Sequence, residues 1–383
     1  MEHPRNPFIL GRRIGRPYFC DREEEEKRLA SAITNGRNVV LLSPRRMGKT
    51  SLINVTLHDS PIIREEYQIF FLDILQSNTL GEFVYLLGRT VFNTLAERSK
   101  KSLKGFLAAL KSLKGTFGFD PLSGSPTFSI QLGDIIHPEY TLEEIFTYLE
   151  QNERPVMLVI DEFQQITKYP EKNTEAILRS YMQRMSNATF IFAGSEFTIL
   201  QEMFTNSKRP FYNSSELMHL GAINENVYVA FATGLFKQRG RQLEEEGVHR
   251  AYTLFDGNTF YLQRTMNGAF ADTPEGKKCD TETVIRSVRS MLAANEVIYR
   301  EMLSKISISQ KSLLIAVAKE KRVTSPTGSA FVKRHSLTSA SSVQSALRNL
   351  IRDGIITKDS EGYTLTDPLL RIFVNSLYSD PEL

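Results

Sequence analysis

The run Val39-Val40-Leu41-Leu42-Ser43-Pro44-Arg45-Arg46-Met47-Gly48-Lys49-Thr50-Ser51-Leu52-Ile53 limits what this chain can fold into more than any other stretch. Four apolar residues suited to a buried parallel strand enter a short irregular loop, and Gly48-Lys49-Thr50-Ser51 then opens an apolar-periodic segment that reads as a helix. Such a turn gathers backbone N–H groups and the positive end of a helix dipole at one point, which makes a cradle for a polyphosphate. Gly48 lets the backbone approach, Lys49 reaches β- and γ-phosphate oxygens, and the Thr50 hydroxyl suits Mg²⁺. Ser43, Pro44, Arg45, Arg46, Met47 and Ser51 complete the expected contacts with the nucleotide. Ser43 stands where the G-x-x-x-x-G-K-[ST] pattern has its first glycine.

A phosphate cradle that performs chemistry needs a carboxylate for the metal and a base for water. Val156-Met157-Leu158-Val159-Ile160-Asp161-Glu162 reads as a central strand ending in two acids. Asp161 falls at the strand's carboxyl end, where open α/β sheets bind ligands, and is the expected partner of Mg²⁺. Glu162, one residue on, is the expected base that polarises the attacking water. A further strand, Thr189-Phe190-Ile191-Phe192-Ala193-Gly194-Ser195, places Ser195 to sense the γ-phosphate or its water, or simply to cap the strand.

Strand and helix signals alternate from about 38 to 200, with another strand at Gln68–Asp73. The expected fold is therefore α/β, a P-loop parallel sheet flanked by helices. Residues 1–20, with Pro4, Pro7 and Pro17, read as an extended arm, and Asp21 as the N-cap of the first helix. The core spans 21–222 and carries an insertion at about 100–135 that reads as a β-hairpin around Pro-Leu-Ser-Gly-Ser-Pro. A helical lid over 223–304, punctuated by Asp256-Gly257-Asn258, and a winged-helix domain over 305–383 follow. In the latter, a helix beginning near Ser339 buries Val343, Leu347, Leu350 and Ile351 and presents Ser341, Ser342, Gln344, Ser345 and Arg348. Ten Lys/Arg against three acids within 305–360 make this region far more basic than the net charge of +3 suggests. Double-stranded DNA or a protein partner are the two expected occupants of that face.

No apolar run is long enough for a membrane span, and the N-terminus lacks an apolar leader core, so a cytoplasmic location is expected. Cys20 and Cys279 sit in no metal-ligand or disulfide pattern. The absence of an Asn/Thr-Lys-x-Asp motif favours ATP over GTP.

From about Asn6 to Val374 the chain resembles the archaeal-type P-loop ATPases of the STAND class, relatives of the AAA+ enzymes. The resemblance rests on Phe19-x-Asp-Arg-Glu, Pro44 to Leu52, Ile160-Asp161-Glu162-Phe163-Gln164, Ala193-Gly194-Ser195, Asp256 to Gln263 and Tyr363-x-Leu-Thr-Asp-Pro-Leu, in that order. It implies adenine-side contacts for Phe19 and Arg22, with Asp21 replacing the family's usual glycine. It also implies an arginine that completes the site in cis or in trans, for which Arg209 is the match, and with it a nucleotide-dependent homo-oligomer. The implied activity is a Mg²⁺-dependent, slow ATPase switch using ATP and ADP; the alternative is a nucleotide-gated scaffold that does not turn over.

Overall fold

The computed structural model describes residues 4–11, 14–113, 118–119, 126–127, 131–359 and 361–379. They form two compact units. One comprises Glu23–Pro44 and Lys49–Leu220; the other comprises the described residues up to Arg22, Arg45–Gly48 and the chain from Gly221 onward.

The first unit contains α1 (Glu23–Thr34), β1 (Val39–Leu42), α2 (Lys49–Asp59), α3 (Pro61–Glu66), β2 (Gln68–Asp73), α4 (Leu80–Arg98) and α5 (Lys100–Ala109). After these come β3 (Gly118–Phe119), β4 (Pro126–Thr127), α6 (Pro138–Glu150), β5 (Val156–Asp161), α7 (Thr174–Arg184), β6 (Ala188–Gly194), α8 (Phe197–Thr205) and β7 (Glu216–His219). Five strands make one parallel sheet in the order β2-β5-β6-β1-β7. Every residue of β1 and β5 is buried, as expected of strands covered on both faces. Leu42 pairs with Gly194 and Ile160 with Phe192, so the register brings the carboxyl ends of β1, β5 and β6 to one edge. The residues that follow those ends are Ser43, Glu162 and Ser195.

Expectations for residues 21–220 need correction at three points. The helix α1 starts at Glu23, and Asp21 and Arg22 both take left-handed backbone, φ 57° and 74°, instead of Asp21 forming an extended N-cap. Residues 100–109 are a helix, because Leu103 and Phe106 bury one face of it; only β3 and β4 pair as the expected hairpin, Gly118 with Thr127. The remainder of that hairpin lies outside the described residues. Lastly, β7 was not expected at all. Its residues Glu216-Leu217-Met218-His219 contain one buried position, and Glu216 is held by Arg28 at 2.7 Å and Arg37 at 2.8 Å.

The second unit contains α9 (Glu225–Gln238), β8 (Gln242–Leu243), α10 (Glu245–Phe255), α11 (Thr259–Asp272), β9 (Lys278–Cys279) and α12 (Thr281–Lys305). It continues through α13 (Ile308–Glu320), α14 (Ser329–Arg334), α15 (Ala340–Arg352), β10 (Ile356–Asp359), β11 (Gly362–Leu365) and α16 (Pro368–Tyr378). Three helices followed by the antiparallel β10–β11 hairpin give a winged helix. Its apolar core runs without a break into that of α9–α12. The N-terminal arm is pinned to it: Phe8 is fully buried against Phe236 and Phe270, and Asn6 and Asn267 exchange hydrogen bonds with each other's segments. Ile351, expected inside, is 40% exposed, and Ala346 takes the buried place on α15. The fully buried Arg371 of α16 meets Asp256 at 3.3 Å and the Leu254 carbonyl, tying the end of α10 to the last helix. Gly257 follows in left-handed backbone, where a Cβ would lie 2.6 Å from Ala222 and 2.7 Å from the Tyr252 hydroxyl, so only glycine fits that junction.

Candidate active site

In the first unit the sheet edge assembles five of the expected residues, Lys49, Thr50, Asp161, Glu162 and Ser195. The Thr50 hydroxyl, on the first turn of α2, donates to Asp161 Oδ2 at 3.0 Å. Asp161 is 8% exposed, and burial pushes its carboxyl above the ordinary value while the nearby Lys49 charge and the Thr50 hydrogen bond pull it back. Lys49 is itself 7% exposed, its aliphatic stem buried at the start of α2. A hydroxyl and a carboxylate meeting at hydrogen-bond distance are a hard-oxygen pair of the kind that Mg²⁺ takes together with phosphate oxygens. Among the described residues there is no cluster of three or more His, Cys, Asp or Glu that could hold a metal ion.

Glu162 turns the chain sharply at φ 57°. Directly after it, Phe163 packs into a cluster with Phe192, Phe204 and Phe211, ring centroids 4.5 to 6.1 Å apart, which fixes that turn against the sheet. One carboxylate oxygen of Glu162, Oε2, accepts from Ser195 Oγ at 2.8 Å, Ser195 N–H at 3.2 Å and Gln164 Nε2 at 2.7 Å. Burial works to raise this carboxyl, but the hydrogen bonds from Gln164 and Ser195 and the Lys49 charge outweigh it and hold the group below its ordinary value. Glu162 is thus ionised at neutral pH. Ser43 is buried and donates to the Pro44 carbonyl at 3.0 Å, while Pro44 is exposed and Ser51 half-buried. Arg209 is held elsewhere, its guanidinium on Glu175 of α7 with Nε at 3.1 Å.

The second unit holds the rest of the loop. Arg46 and Gly48 have φ of 66° and 89°, and nothing lies within 4 Å of a Cβ built on Gly48, so its glycine is required by backbone conformation and not by space. Arg22, 3% exposed, donates to the carbonyls of Met47 at 3.4 Å and Gly221 at 2.6 Å. Phe19 is half-buried and closes a short turn onto Arg16. Arg45 is exposed and Met47 buried. The Arg46 guanidinium lies 4.5 Å over the Phe260 ring and donates to the Tyr261 hydroxyl at 3.0 Å. Tyr261 in turn donates to Asp367 at 2.6 Å, and Tyr299 donates to the other Asp367 oxygen at 2.9 Å. Burial, together with the Asp367 charge, raises both phenols. Asp367 also caps α16, accepting from the Leu369 and Leu370 N–H groups. Sequence reading missed this chain of contacts, because Asp367 and Tyr261 lie 106 residues apart.

Residues 19–265 match the family described as an ATPase domain predominantly from Archaea. The chain belongs to this archaeal ATPase family. Residues 297–376 match a probable winged helix domain, in agreement with the hairpin and helices of the second unit. No curated protein matches the sequence. Among solved structures the chain is similar to a Walker-type ATPase of Pyrococcus abyssi, at 18% identity and TM-score 0.66 over 96% of this chain and 99% of that one. It is also similar to the ORC2 protein of Aeropyrum pernix in its ADPNP–ADP complexes, at 12% identity and TM-score 0.57, covering 97% of each chain. The ORC1 protein of the same organism in complex with DNA matches at 12% identity and TM-score 0.50, over 94% of this chain and 93% of that one. The similarity fixes the α/β P-loop fold with a C-terminal winged helix as the architecture of this archaeal-type ATPase. No helix among the described residues is long and apolar enough to cross a membrane.

Proposed function

We propose that this archaeal-type ATPase is a Mg²⁺-dependent switch of the STAND kind, which hydrolyses ATP slowly and passes its nucleotide state to a winged helix that contacts duplex DNA. The observation that carries the reading is Glu162: an ionised carboxylate with one oxygen tied down, next in sequence to an Asp161 already in contact with Thr50. A site that only stored nucleotide would not need that second carboxylate.

ATP supplies the electrophilic γ-phosphorus, and Mg²⁺ the charge that shields it, when they are bound. The protein's residues do the remaining work. Lys49 and the N–H groups of Gly48 to Ser51 neutralise and orient phosphate oxygens. Thr50 and Asp161 offer hard oxygens to the metal, Glu162 takes the proton of the attacking water, and Ser195 holds Glu162 in place. Arg209 is given no part, since Glu175 already holds it. The test is ADP release by the full chain in Mg²⁺ and after its removal by EDTA, with loss of turnover in EDTA as the expected result. Equal rates in both would remove the metal from the mechanism.

For the winged helix, what supports DNA is a face with little competing acid. Ser341, Gln344, Ser345 and Arg348 of α15 are exposed, and so is Lys358 on β10. Glu320 is occupied by Arg334 and His335, and Asp359 by Arg322. Binding of the full chain to a labelled duplex is expected to weaken linearly with salt on logarithmic axes, by roughly 0.9 per phosphate contact. Arg348→Ala should weaken binding at every salt concentration. Absence of binding at low salt would leave a protein as the partner.

A further inference from the structure

Gln164 is 1% exposed, and its side chain is an odd one to bury where it stands. Its amide nitrogen makes one hydrogen bond, to Glu162 Oε2 at 2.7 Å. No described residue donates to its carbonyl oxygen, which lies against the backbone of Gly194. A buried carbonyl without a partner is destabilising, and a methionine of the same length would fill the space without that cost. Gln165, next in the chain and also buried, shows the contrast: its amide crosslinks the fold by donating to the Ser77 carbonyl at 3.0 Å. What Gln164 gains in return for its unpaired oxygen is the contact with Glu162 alone.

Gly194, the last residue of β6, makes room for it. A Cβ on Gly194 would lie 1.9 Å from Gln164 Oε1 and 3.1 Å from its Cδ. The backbone of Gly194 has no left-handed φ, so conformation does not ask for glycine there; the Gln164 amide does, with Leu200 Cδ2 at 3.1 Å a lesser obstacle. With Gln164 on one side and Ser195 on the other, three donors converge on Oε2, and no described residue donates to Oε1.

We propose that Gln164 is a positioning residue for hydrolysis: it locks Glu162 through Oε2 so that Oε1 is the oxygen left to take the proton of the attacking water, and Gly194 is bare so that Gln164 can reach. The inference rests on the reading of Glu162 as the base. Without Gln164, Ser195 alone restrains the carboxylate, and rotation about the last side-chain torsion of Glu162 carries Oε1 away from one fixed direction. Small misplacements of a reacting group cost up to about 10²-fold in rate.

The test uses the full chain and two readouts, steady-state ATP turnover and ATP affinity by calorimetry. Gln164→Met and Gly194→Ala are each expected to lower kcat by about 10- to 100-fold with ATP affinity changed by less than about twofold, the pattern of an interaction made in the transition state. In a Glu162→Gln background neither substitution should lower the residual rate further, because a residue that acts through Glu162 has nothing left to position. Gly194→Ala should also cost less in a Gln164→Ala background, whose shortened side chain no longer occupies the clash and leaves only Leu200 Cδ2 at 3.1 Å to give way. If Gly194→Ala does not fold, Gln164→Met carries the test. A Gln164→Met protein with the parent kcat overturns the proposal, and so does an equal loss in the Glu162→Gln background, which would mark a purely structural role. Parent turnover in Glu162→Gln by itself would instead overturn the assignment of the base, a separate failure.

Discussion

Glu162→Gln is expected to lower ATP turnover by about 10²–10⁴-fold and to leave ATP affinity near the parent value, the loss that removal of a positioned general base would bring. The substitution is isosteric, so the left-handed turn at Glu162 and the packing of Phe163 against Phe192 and Phe211 have no reason to change. An amide oxygen still accepts from Ser195 and Gln164, but it cannot take a proton from water. The structural cost is therefore small and the chemical cost large, which makes this variant the clean separation of the two functional readings. A switch that hydrolyses ATP loses its turnover and stays loaded. A nucleotide-gated scaffold shows little turnover to begin with and no difference between parent and variant. Single-turnover measurement with radiolabelled ATP resolves a residual rate at either end of the range, and an unchanged rate would take Glu162 out of the chemistry.

What could be read from the residues alone follows a physical rule: signals confined to one element were legible, and signals divided between distant ones were not. β1, β5 and β6 announce themselves because burial on both faces demands continuous apolar runs, and the candidate site residues stand directly at the ends of those runs. Asp161, Glu162 and Ser195 were placed on that ground, and the register of the sheet brings them to one edge. β7 is an edge strand with one buried residue out of four, and its place in the sheet comes from pairing with β1, which leaves no pattern in its own sequence. The arm looked extended because its prolines forbid regular structure, yet Phe8 is fully buried; irregular backbone does not prevent a side chain from packing. Gln164 stood in the sequence only as the last residue of the stretch Ile160 to Gln164, since its meaning lies in Gly194, thirty positions on. Arg371 was silent for the same reason, gaining its sense from Asp256. Asp367 stood only as one residue of the stretch Tyr363 to Leu369, and beyond capping α16 it takes its meaning from two distant tyrosines.

Lys49→Ala is expected to weaken ATP binding by roughly 10- to 150-fold, the equivalent of the ~1.5–3 kcal/mol that a charge-assisted contact contributes. Lys49 is 7% exposed, so alanine also deletes a buried four-carbon stem, and lost affinity could then reflect a loosened first turn of α2. Lys49→Met separates these effects, because it refills most of the space with a flexible apolar chain and removes only the charge. If the charge carries the affinity, both variants lose ATP to a similar extent, while only alanine lowers the thermal midpoint of the free protein. The competing attribution, to packing, predicts that methionine restores binding. Removing the charge also takes away the attraction that lowers the carboxyls of both Asp161 and Glu162, so the two variants should share a turnover loss larger than saturating ATP can recover. Calorimetric titration of ATP into both proteins, with the thermal midpoint of each measured beforehand, decides it: parent-like affinity in Lys49→Met would mean that the loop backbone and helix dipole alone hold the phosphates.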